Sequence, residues 1–232
     1  TFKTNLSTGF RAPHSSELLS DGVHHGTLRY EIGNENLVSE KANQLDTYLE
    51  YKAEHINFVV NPFVNFLQDY IAIEAMDTLI EGLPSFKYNQ VDQVIMSGVD
   101  LGFHYHPHFA HFIHLESSFS IVFGEALDGQ PLGLIPQSRA NSSLKFELNS
   151  EKSFRLENVM VQHQYLFAQD RVASLESRSS AYQLFNIAAN FNYKSRINFS
   201  CGIRNLLNEQ YIDHLSRLKN IGMYHPGRNF FV

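Results

Sequence analysis

Apolar and polar residues take turns along most of this chain. The clearest run is Gln44 to Lys52, where Leu45, Thr47, Leu49 and Tyr51 alternate with Asp46, Tyr48, Glu50 and Lys52. A period of two predicts a strand with one apolar face. Phe2, Leu6 and Phe10 interleave with Lys3, Asn5 and Ser7 in the same way. Ile56 to Ile73, Tyr88 to Tyr105, Ile113 to Phe123, Ala140 to Leu148, Phe154 to Gln169, Tyr182 to Tyr193 and Ile197 to Ile203 continue the series. A last strand begins at Gly227. Pro62 lacks the N–H that a ladder needs, which predicts an irregularity inside its strand.

The connections carry information of their own. Short turns are expected at Glu54-His55, around Pro107, at Asn149–Lys152 and after Tyr193. Long loops are expected at Gly9–Lys41, Ala75–Phe86, Glu125–Pro136, Asp170–Ser179 and Asn208–Pro226. Long and short alternate, as in outer-membrane barrels with their short periplasmic turns and longer outer loops. Several strand candidates reach the ~9–11 residues of a tilted membrane strand. A soluble antiparallel barrel or sandwich would alternate equally well within each strand. Strand length and loop alternation favour the membrane. The fold class read from this pattern is all-β: an antiparallel meander of about ten strands.

Composition narrows the function. The formal net charge is −6, from 18 basic and 24 acidic residues, which argues against nucleic acid as a partner. The single cysteine, Cys201, excludes an internal disulfide framework. Nineteen Phe and 11 Tyr fit lipid contacts and interface girdles better than a cofactor box. Thr1-Phe-Lys-Thr4 has no signal-peptide character and begins inside a strand, so the chain reads as a piece of something longer. No nucleophile–base constellation and no phosphate loop stand out, so the chain reads as no enzyme.

The long loop between the first two strands is the most distinctive stretch. Phe10, Leu18, Leu19, Val23, Leu28, Tyr30, Ile32 and Leu37 give it apolar anchors, against disorder. It contains Arg11-Ala12-Pro13, Ser16-Glu17-Leu18, Gly22-Val23-His24, Glu31-Ile32-Gly33-Asn34, Leu37 and Glu40-Lys41. Taken together these resemble the TonB-dependent outer-membrane receptors. Gly-x-His ahead of Glu-x-Gly-Asn is most similar to the zinc-uptake branch. Later stretches resemble the same family: Tyr88-Asn89-Gln90 through Gly98 to Tyr105-x-Pro107, Arg204-Asn205-Leu206-Leu207-Asn208-x-x-Tyr211, Asp213-His214-x-Ser216 and Gly227-Arg228-Asn229-Phe230. Asp100 stands where the family commonly has Glu.

The resemblance implies that residues 1–232 are the C-terminal portion of a large transmembrane barrel, which in the family has about twenty-two strands. It implies a Gram-negative outer membrane. It also implies an N-terminal plug, further strands and a TonB-contacting segment that are not in this chain. Function would be uptake of a metal ion or metal complex, energised through TonB, with zinc as the transported ligand and no resident cofactor. The alternatives are a siderophore or other organic ligand taken by the same family, or a soluble ligand-binding module.

Imidazole is the commonest metal ligand among side chains and suits zinc, copper or nickel. His24 and His25 are the first candidates, flanked by Gly22 and Gly26. Adjacent histidines rarely point at one ion, and the Gly-x-His match selects His24. Hydrogen bonding to the loop backbone is its structural alternative. His214, beside Asp213 on the last long loop, is a weaker candidate. His104, His106, His108, His111 and His114 form the densest cluster. His104 and His106 share a strand face and could bind metal, but they lie at a short turn, where an interfacial role is the blander reading.

Overall fold

The computed structural model describes residues 1–148 and 152–232. Ten strands form one antiparallel meander: β1 (Phe2–Arg11), β4 (Glu40–Lys52), β5 (Ile56–Ile80), β6 (Leu83–Tyr105), β7 (Ile113–Ala126), β8 (Arg139–Glu147), β9 (Phe154–Leu166), β10 (Tyr182–Tyr193), β11 (Ile197–Arg204) and β12 (Asn229–Phe231). Each is hydrogen-bonded to its neighbour on this path. Two further strands, β2 (Asp21–His24) and β3 (Arg29–Ile32), make a hairpin inside the first long loop. No helix of the described residues is long and apolar enough to cross a membrane; that has no bearing on crossing by strands.

Register divides the sheet into two chemically different faces. Directly opposed residues in a ladder share a face. One row therefore runs Phe2, Leu49, Val60, Leu101, Phe119, Ala140 and Tyr165. The adjacent face carries Lys52, Asn57, His104, Glu116, Ser143, Gln162 and Asn186. Leu45 and Leu49 are exposed while Asp46 and Glu50 are half-buried. The sheet thus curves with its apolar face outward and its polar face inward, the reverse of a water-soluble barrel. A small apolar core forms around Leu67, Val94, Leu132 and Ile135.

The structure departs from the sequence reading in three places. Ala75–Phe86 is no loop, since β5 and β6 continue to a two-residue turn at Glu81-Gly82, both with positive φ. At ~3.3 Å per residue, 25-residue β5 is roughly 80 Å long and outruns any bilayer. Asp77 had suggested a break, yet a strand standing in water tolerates it. The second departure is the parallel pairing of β3 with β6 at Tyr30–Ser85, Glu31–Phe86 and Ile32–Lys87, a contact between distant segments that no local period reveals. The third is the end of β9 at Leu166: Phe167 N–H still bonds Ser138 O in the β8 register, and Gln169 then pairs instead with Ser179 across its own loop.

Pro62 interrupts pairing as expected. The β4–β5 ladder has no pairs between Asp46–Phe63 and Leu49–Val60, and register resumes unshifted. The turn expected at Asn149–Lys152 lies largely outside the described residues.

Candidate functional site

Connections on opposite ends of the sheet differ. The β4–β5, β6–β7 and β10–β11 turns lie at one end. The 12–39 loop, the β5–β6 tip and the β7–β8, β9–β10 and β11–β12 connections lie at the other. Between them the inner wall carries amides, hydroxyls and few charges. A concavity of about 510 Å³ is lined by Asn57, His104, Glu116, Ser118, Asn141 and Gln164. Polar groups of the same inner wall bond one another across strands: Asn186 Nδ2 donates to Gln162 Oε1 at 3.1 Å, and Asn190 Nδ2 to Asn158 Oδ1 at 2.6 Å. A second concavity of about 430 Å³ lies toward the long-loop end, walled by Tyr182, Tyr211, Asp213 and His225. There Tyr211 stacks between Tyr182 and His225, with centroids 4.5 and 5.0 Å away. Such a wall can pass a hydrated or polar cargo.

This two-faced meander matches known proteins. Residues 1–206 fit the family model described as TonB dependent receptor-like, beta-barrel. The chain belongs to this family. It is an outer-membrane protein of Gram-negative bacteria, and a soluble binding module is set aside. Similar solved structures include the copper transporter OprC (20% identity, TM-score 0.81, 99% of this chain and 35% of that one). The FrpB iron transporter from Neisseria meningitidis (F3-3 variant) has 14% identity and TM-score 0.68, covering 99% and 36%. The siderophore receptor PirA from Acinetobacter baumannii has 15% identity and TM-score 0.67, covering 99% and 38%. At these identities the likeness shows the fold alone. The chain spans little more than a third of the length of these receptors.

The receptor signature in the first loop turns out to be internal scaffolding. Arg11 Nη1 donates to both oxygens of Glu17 at 2.8 and 2.9 Å, and its Nε donates to Glu40 Oε2 at 2.6 Å. Glu40 Oε1 accepts from the backbone of Ile71 at 2.6 Å. Glu17 also accepts from His14 N–H at 2.7 Å, closing a capping box on the short helix α1 (Ser15–Leu19). Gly33 lies so close to this helix that a Cβ there would meet the Leu18 carbonyl at 2.6 Å. Glu31 is buried and bonded to Arg29 at 2.7 Å and Tyr88 at 3.2 Å. The signature carboxylates are thereby occupied in holding the loop on the barrel.

His24 ends β2, with Nδ1 3.1 Å from Thr27 Oγ1. His25 follows it, exposed, in the hairpin turn. Tyr30 bonds the neighbouring Asp21 at 2.9 Å, and Glu31 has its own partners, so no second ligand group converges on His24 among the described residues. His214 is 3% exposed. Its Nδ1 is 2.9 Å from both Ser179 Oγ and Lys219 Nζ, and its Nε2 is 3.2 Å from Glu176 Oε1. It ties the β9–β10 loop to the β11–β12 connection. Burial alone would raise the Glu176 pKa, but hydrogen bonds from His214 and from the N–H groups of Leu134 and Ala173 hold it below the ordinary carboxylate value. Burial lowers Lys219.

Half of the chain's 12 histidines meet at the short-turn end. His104 and His114 stack in parallel, centroids 5.7 Å apart, with Nε2 of one 3.4 Å from Nδ1 of the other. His106 lies 5.5 Å from His104 and 4.9 Å from His55, centroid to centroid. His108 and His111 complete the group, each within 6 Å of His55. The clustering of residues 104–114 was visible in the sequence. The arrival of His55 from the adjacent turn was not, because it depends on β5 and β6 lying side by side. Burial, and then the neighbouring imidazoles, lower the His106 pKa.

Proposed function

We propose that this chain is the C-terminal portion of the barrel of an energised import receptor, and that its cargo is a metal ion or a metal complex. The observation that carries this reading is the family match over residues 1–206 of a sheet with a polar, hydrogen-bonded inner wall. An inner wall rich in amides and hydroxyls, with few charges, can pass a hydrated cargo without trapping it. β1 and β12 each have one hydrogen-bonded neighbour among the described residues. In a bilayer such open edges are intolerable, so we assign closure to further strands, an N-terminal plug to the lumen and TonB as the energy source. Copper, iron and ferric-siderophore receptors of this fold support a metal-bearing cargo. Zinc rests on the Gly22-Val23-His24 motif alone, with His24 as the ligand proposed on the outer hairpin. Aromatic stacking around Tyr211, beside polar groups, favours a second reading, a metal complex with an organic chelator.

The test is accumulation of labelled Zn²⁺, Cu²⁺ or a ferric siderophore by cells carrying the complete receptor, with and without TonB. TonB-dependent uptake of a free ion supports the first reading, and uptake of only the chelate supports the second. Equal accumulation of all three in both strains would remove the import function altogether.

A further inference from the structure

We propose that His55, His106 and His111 form a binding site for a divalent first-row transition-metal ion, with His108 beside them for a fourth position. This site lies at the short-turn end of the barrel, remote from the His24 hairpin. The inference stands on side-chain geometry and holds whether the receptor's cargo is an ion or a chelate.

The first argument is convergence. One ring nitrogen from each of His55, His106 and His111 lies within 4.8 Å of the others. Nitrogens bound tetrahedrally at 2.0–2.1 Å sit about 3.3 Å apart. Side-chain shifts of about 1 Å would close the site. His111 is exposed and on a turn, so it can make that shift. His108 is 5.1 Å from His55 and 5.4 Å from His111, centroid to centroid, within reach of the remaining vertex.

Unspent hydrogen-bonding capacity gives the second argument. Both ring nitrogens of His55 and Nδ1 of His106 are buried and have no hydrogen-bond partner. A buried polar atom without a partner costs on the order of 1–3 kcal/mol. A metal ion would satisfy one nitrogen on each ring directly, and the second nitrogen of His55 has Glu54 nearby, with Nε2 3.6 Å from Glu54 Oε1. The neighbouring trio His104, His106 and His114 is equally compact, but His104 and His114 already face each other at 3.4 Å. That trio keeps two unpartnered nitrogens, His106 Nδ1 and His114 Nε2, against three in the His55 trio, which selects the latter.

The frame is also built for it. His106 N–H donates to the His55 carbonyl at 3.0 Å, pinning the β6–β7 turn to the β4–β5 turn. Bonds from Ala110 N–H to Pro107 O at 3.0 Å and from Ile113 N–H to Ala110 O at 2.9 Å fold the turn that carries His108 and His111. All four candidate ligands are imidazoles, a set that suits zinc, copper or nickel and does not suit magnesium or calcium.

The test uses the complete receptor in detergent, stripped with a chelator and then equilibrated with Zn²⁺ at a buffered free concentration. Metal content is measured after desalting, and Co²⁺ serves as a second probe through its visible absorption. Wild type should hold one Zn²⁺ equivalent more than His106→Ala or His111→Ala, and the Co²⁺ band of nitrogen-only ligation should disappear in both variants. Because His111 is exposed, its variant separates loss of a ligand from failure to fold. His104→Ala should retain the metal. Unchanged Zn²⁺ content in His111→Ala overturns the proposal. So does loss in His104→Ala with retention in His111→Ala, which would move the site to the inner-wall trio.

Discussion

Single residues in this barrel segment do work that their chemistry alone would not assign. Glu17, Glu31 and Glu40 place three carboxylates in the signature loop, and each is consumed by an arginine, a tyrosine or backbone N–H groups. Gly33 is required by contact. Gly33→Ala would drive a methyl into the Leu18 carbonyl and lift α1 from the loop. We expect rapid proteolysis within residues 12–39 while the barrel keeps its heat-modifiable electrophoretic mobility; a loop as resistant as wild type would contradict the packing. Glu176 sets a pH dependence. Its folded pKa is depressed below 4.5, so the stabilisation it lends is present above the unfolded value and lost as pH falls through the folded one. Protease protection of the 167–181 loop should therefore weaken progressively below about pH 4.5. Glu176→Gln should flatten that profile, and an unchanged acid transition in the variant would rule out Glu176 as its source.

At the scale of elements, the alternation in β4 becomes a statement about two solvents. Leu45, Leu49 and Tyr51 point away from the concave face, and Asp46 and Glu50 point into it. A fluorophore on Leu49→Cys should be quenched by lipid-borne probes, and one on Glu50→Cys should not; the opposite pattern would invert the sheet. Val60→Arg, on the same outer row as Leu49, should destabilise the barrel by roughly 2–4 kcal/mol if it lies near the bilayer midplane, measured by urea unfolding in lipid. The β5–β6 hairpin shows how an element can leave the membrane and stay regular. Its far half is steadied by the parallel contact with β3, where Ser85 is fully buried and bonds Thr78 at 2.8 Å.

For the whole molecule the decisive property is an open sheet. Among the described residues β1 meets only β4 and β12 meets only β11. All of β1 is exposed, including Phe2, Leu6 and Phe10. Unpaired strand edges cost several kcal/mol per group in hydrocarbon and recruit other chains in water. Residues 1–232 refolded alone into detergent should aggregate or show no heat-modifiable band. A monodisperse, heat-modifiable barrel from this chain alone would mean that β1 and β12 can pair. The two ends also divide the labour: long connections with stacked aromatics at one, a knot of imidazoles at the other.

Period-two alternation and the spacing of turns determined the strand class, the meander and the facing of β4. These are local properties, set by a side chain's position on the pleat and by the few residues a turn needs. The Arg-Ala-Pro and Glu-x-Gly-Asn pattern resembled the family, and residues 1–206 bear that out. What depended on non-local contact stayed hidden. The Ala75–Phe86 region looked like a loop because it contains Asp77, Gly82 and Pro84, and only pairing across the hairpin reveals it. His214 looked available beside Asp213, whereas folding brings Glu176, Ser179 and Lys219 onto it from segments that local spacing cannot connect. His55 looked solitary, and only the register of β5 against β6 delivers it to His106. Local spacing sets which face a residue occupies; the pairing of distant strands decides what it meets there.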